Sequence, residues 1–109
     1  MVARLPTHLL VSALLRRIND AGGFAVVRAR GDADSGGILI LLEREDRLIE
    51  RMIGMDGRDA LTPAGLAGAA AETPDDYWQR RRARDPDLWV VALDVADGER
   101  FAAETICIN

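Results

Sequence analysis

The chain has 109 residues, 49% hydrophobic and 29% charged, which suits one globular domain with a single core and excludes a disordered or fibrous chain. Eighteen acids against fourteen basic residues, all of them arginine, give a formal charge of -4, which weighs against general binding to a phosphate backbone. No apolar run approaches the roughly 18 residues of a membrane span, and the start lacks a signal-peptide pattern, so residues 1–109 are expected to form a soluble, cytoplasmic single domain that does not engage a membrane.

Leu10, Leu14 and Ile18 recur at helical spacing with Val11 and Leu15 beside them. They predict a first helix, with Thr7 as its N-cap and Gly22-Gly23 as its left-handed stop. Phe24 to Arg30 alternates and is β-branched enough for a strand, ending at Gly31. The polar stretch Gly31-Asp32-Ala33-Asp34-Ser35-Gly36-Gly37 then feeds Ile38-Leu39-Ile40-Leu41-Leu42, a run apolar on both faces. Such a strand lies centrally, covered on two sides or shielded by a partner chain. Leu48 to Ile53 reads as a third strand.

From Asp56 to Glu72 the side chains are mostly small and three glycines intervene, which predicts a mobile connector. Thr73-Pro74-Asp75-Asp76 is a strong helix start, with a hydroxyl cap, proline at the first position and acids in the first turn. The second helix runs to about Arg84 and is closed by Asp85-Pro86. Leu88 to Val95 is a buried strand, and Asp97-Gly98 reads as a hairpin turn returning through Glu99 to Ile108. The expected fold is α+β: a mainly antiparallel sheet of four or five strands with two helices, in the order α-β-β-β-α-β(-β).

Asp34-Ser35-Gly36-Gly37 overlaps the nucleophile signature of trypsin-like proteases, but the single histidine, His8, sits at a helix start, and such enzymes need a chain about twice as long. Asp32 and Asp34 resemble the opening of a calcium loop, with Glu43 at the twelfth position. The residues between are a hydrophobic strand, so turn chemistry explains the same letters, with Asp and Ser bonding their own backbone and glycine taking positive φ. Arg80, Arg81, Arg82 and Arg84 lie near Tyr77 and Trp78, a combination suited to RNA. The plainer reading is a solvated helix face with Asp76–Arg80 and Arg81–Asp85 pairs. Trp78 and Trp89 read as core or interface anchors, and the lone thiol of Cys107 as buried or incidental.

Three segments carry a family resemblance: Arg4 to Arg17, Gly31 to Leu39, and Arg84 to Val91. Together they resemble a family of small alphaproteobacterial proteins known as the domain of unknown function numbered fourteen ninety-one. That resemblance implies no activity, cofactor or catalytic residue. The residues themselves lead to a protein-interaction module acting as a homodimer. One alternative is RNA binding through the arginine cluster, and a second is a small hydrolase or metal site near Asp32, Asp34 and Ser35. No cofactor is expected. If the turn is functional, Arg28, Arg30 and the second helix are its expected neighbours.

Overall fold

The computed structural model describes residues 5–65 and 72–107. Helix α1 (Thr7–Asp20) is followed by β1 (Phe24–Ala29), β2 (Ile38–Leu42), β3 (Arg47–Ile53), β4 (Asp59–Ala64), α2 (Pro74–Arg84), β5 (Trp89–Asp94) and α3 (Gly98–Ile106). The strands form one five-stranded sheet in the order β1-β5-β2-β3-β4. Three pairings are antiparallel, and β2–β5 is parallel. The α+β class and the mainly antiparallel sheet hold.

Two elements differ from the sequence reading. Glu99 to Ile108 was expected as a returning strand, but Gly98–Ile106 is a third helix. Gly98, Ala102, Thr105 and Ile106 are its buried positions, and that helical spacing outweighs the turn signal of Asp97-Gly98. Asp97 does take the left-handed conformation, at φ 59°, yet it opens a helix rather than a hairpin. Within the expected connector 56–72, Asp59–Ala64 is a strand that pairs with β3 from Leu48↔Ala64 to Ile53↔Asp59. Residues 66–71 of that connector lie outside the described residues.

Both faces of β2 are covered by this chain's own helices, so a partner is not needed to bury it. On one face Ile38, Ile40 and Leu42 pack with Leu10, Leu14 and Ile18 of α1 and Ile106 of α3. On the other, Leu39 and Leu41 join Leu48, Leu88 and Val90, with Tyr77 and Trp78 of α2 packed against them.

Helix α1 stops as expected. Gly22 is left-handed at φ 83°, and the Gly22 and Gly23 amides donate to Asn19 O and Ile18 O at 3.0 Å each. Its start is different: Thr7 is not the cap but the first helical residue. The Thr7 and His8 amides donate to Asp34 O and Ala33 O at 3.1 and 2.9 Å, so the loop 31–37 supplies acceptors that a capping side chain would otherwise provide.

That loop also lies against the start of β5. A Cβ on Gly31 or on Gly36 would fall 2.1 Å from the same atom, Asp87 O, whereas one on Gly37 would meet Leu88 Cδ1 at 3.4 Å. Gly31 and Gly36 are therefore required for close approach of two backbones. Among the described residues the positive-φ glycines are Gly22, Gly57 and Gly65, so the positive φ expected of the glycines in this turn is absent. Gly31→Ala and Gly36→Ala should each lower stability by about 1–3 kcal/mol, and Gly37→Ala should change it by less than about 1 kcal/mol. Urea melts of the three variants check this, and equal midpoints would contradict the close-approach account.

Candidate functional site

The residues expected to carry chemistry fall into three places. In the loop, Asp32 Oδ2 accepts from the Ser35 amide at 2.8 Å, the Ser35 hydroxyl at 3.1 Å and the Asp34 amide at 3.2 Å. This is a side chain closing its own turn, the arrangement that favours Asp and Ser in such loops. Ser35 Oγ thus faces a carboxylate and no imidazole. His8 Nδ1–H donates instead to Ala33 O at 3.1 Å, in the tautomer protonated at Nδ1. Glu43 lies at the far end of β2, paired with Arg28 at 2.8 Å. Among the described residues no three His, Cys, Asp or Glu side chains are grouped to hold a metal ion.

Trp89 holds the loop from below. Its ring is buried in the core, and its Nε1–H donates to Asp32 O at 2.7 Å. The Arg30 guanidinium lies 5.0 Å from the ring centroid. Of the expected neighbours Arg30 therefore arrives, Arg28 goes to Glu43, and α2 reaches only as far as Arg82, which donates to Arg30 O at 3.0 Å.

The arginines of α2 do not converge on Asp32 and Asp34. Arg80 forms a two-point pair with Glu72 at 2.8 and 2.9 Å, which holds the Glu72 carboxyl below its usual range. Arg81 forms another with Glu50 of β3 at 2.9 and 2.8 Å and also donates to the Tyr77 hydroxyl at 3.0 Å. The Glu50 carboxylate holds the Arg81 proton still more firmly than in water. These partners replace the expected Asp76–Arg80 and Arg81–Asp85 pairs, because β3 and the segment before α2 bring carboxylates within reach. Arg84 is exposed. Trp78 is half-buried and donates Nε1–H to Asp75 at 3.1 Å.

The third place was not foreseen. A cleft of about 280 Å³ opens where the loop meets the end of β3, lined by Asp34, Ser35, Gly36 and Gly37 of the loop, by Arg51, Met52, Ile53 and Asp59 of β3 and β4, and by Leu5 and Thr7 at the start of α1. Its polar rim is Asp34, Ser35, Arg51 and Asp59, and its apolar walls are Leu5, Met52 and Ile53. The signal available was that the last residues of the third strand, Met52-Ile53, are apolar on both faces with nothing beyond them to cover both.

A family model described as protein of unknown function (DUF1491) matches residues 5–103. The chain belongs to the DUF1491 family. A crystal structure of a DUF1491 family protein from Caulobacter crescentus is similar, with 33% identity and a TM-score of 0.75 over 89% of this chain and 94% of that one. An NMR structure of a DUF1491 family protein from the same organism gives 33% identity and 0.72 over 92% and 94%. A solution structure from A. tumefaciens gives 31% and 0.61 over 87% and 89%. No curated protein matches. The resemblance drawn from the three sequence segments is thus correct.

Within this DUF1491 chain the loop carries a pH signature. Hydrogen bonds from the Ser35 amide and hydroxyl, then from the Asp34 amide, hold the Asp32 carboxyl below its ordinary value of 3.8. The folded state therefore favours the ionised form. The resulting stability is present above the ordinary carboxylate range and is lost as pH falls through it. Asp32→Asn should melt below wild type near neutrality, and the gap should narrow between about pH 5 and 3. Melting curves across that range check this, and a gap independent of pH would contradict it.

Proposed function

We propose that this protein acts through protein–protein contact as a homodimer joined along β1, in the cytoplasm. The observation that carries the reading is the contrast between the two edges of the sheet. The β4 edge includes Pro63 and begins with Asp59, devices that discourage a further strand. The β1 edge has no proline, and it exposes Phe24 at 72% and Val26 at 52% on the face shared with α2. Arg28 and a break in register between Val27 and Ala29 guard only the far end of β1, so the stretch Phe24–Val27, with its exposed apolar side chains, is the part of the edge that favours addition of another strand.

A second copy laid antiparallel along β1 would extend the sheet and bring Phe24 and Val26 of both copies into one apolar strip. RNA binding through α2 is favoured less, because Arg80 and Arg81 would first have to release Glu72 and Glu50. Sedimentation velocity tests the reading. Wild type should be dimeric at tens of micromolar, and Val26→Lys should weaken the dimer by about tenfold or more, since it places like charges together on the shared face. A wild type that stays monomeric throughout that range would refute it.

A further inference from the structure

We propose that the cleft between the loop 31–37 and the end of β3 binds an extended, apolar segment of a partner protein that carries a basic side chain, laid beside β3 as an added strand. The β2–β3 ladder ends at Leu39↔Glu50, while the β3–β4 ladder runs on to Ile53↔Asp59. Met52 and Ile53 are thus paired to β4 and face the cleft where β2 would have continued. An incomplete ladder of this kind is the footing for strand addition, in which main-chain hydrogen bonds give affinity and alternate side chains give specificity.

The side chains around that edge fit an extended guest. Leu5, Met52 and Ile53 line the cleft, and their exposures of 52%, 48% and 63% place them among the most exposed large hydrophobic residues of the chain. Met52 and Ile53 are neighbours on a strand, so they flank its edge from opposite faces, where successive side chains of an added strand would meet them. The cleft, at about 280 Å³, is smaller than most pockets for cofactors or drug-sized ligands, yet it accommodates a short stretch of strand. The opposite wall includes Gly36 and Gly37, which present backbone rather than bulk.

The charge of the guest follows from the rim, where the carboxylates of Asp34 and Asp59 outnumber the Arg51 guanidinium, whose Nη1–H donates to Ile106 O. The Asp34 carbonyl is occupied by α1, but its carboxylate is exposed at the rim and takes no hydrogen bond or ion pair among the described residues. A lysine or arginine on the guest would complement it. The wall behind is rigid, since Thr7 Oγ1–H donates to Gly36 O at 2.9 Å and the turn is closed by Asp32. The site is therefore formed in advance, and binding does not bear the cost of ordering it.

The test uses the full chain with a synthetic peptide of alternating valine and arginine, observed by amide NMR. Saturable shifts at Gly37, Met52 and Ile53 are expected at micromolar to millimolar peptide. Ile53→Ser, at an exposed position, should weaken binding by about tenfold. Asp34→Asn should weaken the arginine peptide while leaving a valine–threonine peptide unchanged. Val26→Lys should leave all binding unchanged, which separates this site from the dimer edge. The proposal is overturned if shifts are absent at millimolar peptide, if they map to β1, or if a peptide with N-methylated central amides binds equally well. It is also overturned if Ile53→Ser dissociates a dimer, for then a second copy is the occupant.

Discussion

The structure depends on one crossing of two backbones, where the loop 31–37 lies against Asp87 at the approach to β5. Asp87 O accepts from the Asp32 amide at 3.0 Å, and the same oxygen is the nearest atom to the missing Cβ positions of Gly31 and Gly36. From this point the contacts spread outwards. Trp89 donates its backbone amide to Gly37 O and its indole N–H to Asp32 O, at 2.9 and 2.7 Å, which starts the parallel β2–β5 ladder. On the other side of the loop, its carbonyls receive the first amides of α1. A single seven-residue loop thereby fixes a helix start, a strand register and the position of the core tryptophan. Of the polar letters that resemble a protease or calcium signature, Asp32 and Ser35 close the turn at that crossing, while the Asp34 carboxylate faces the cleft rim and Glu43 pairs with Arg28.

The second helix shows the same economy with charge. A run of four arginines in five residues invites a reading as a binding face, yet three are committed within the chain. Arg80 holds Glu72, Arg81 holds Glu50, and Arg82 reaches Arg30 O. Helix α2 has no buried residue and a polar composition, so apolar burial alone holds it weakly. The Arg81–Glu50 pair is partly screened from water and links the helix to β3, and hydrogen bonds between charged groups in such settings contribute about 1.5–3 kcal/mol. The cluster serves to dock a helix that lacks a strong apolar face.

Local patterns were legible in the sequence and non-local ones were not. The N-terminus of α2 follows from four consecutive letters: the Thr73 hydroxyl accepts from the Asp76 amide at 3.1 Å, with Pro74 in the first turn. The central burial of β2 follows from five apolar residues in a row. By contrast, Glu50 is 31 residues from Arg81, and no i,i+4 rule finds it. Strand β4 has only Leu61 as a bulky apolar residue, and its pairing with β3 supplies what its own propensity lacks. In α3 the helical spacing of Gly98, Ala102 and Thr105–Ile106 was present, but a two-residue turn signal and β-branched residues obscured it. The cleft was hidden for the same non-local reason, because it exists only where a loop and a strand end, far apart in sequence, fail to pair.

The exposed apolar residues divide between two strand edges of different kinds, and that division follows from the topology. Because β5 inserts between β1 and β2, β1 becomes an outer edge although it comes first among the strands. Because the loop after β1 must span across β5 to reach β2, its last residues, Gly36 and Gly37, run beside β5 and α1 rather than continuing the ladder with β3. The same insertion that opens an edge at β1 thus leaves Met52 and Ile53 without β2 beside them. Phe24 and Val26 lie along the outer edge of the sheet, whereas Met52 and Ile53 lie in a short recess closed by the loop. One topological choice therefore produces two surfaces, which differ in length, in enclosure and in the charge of their surroundings.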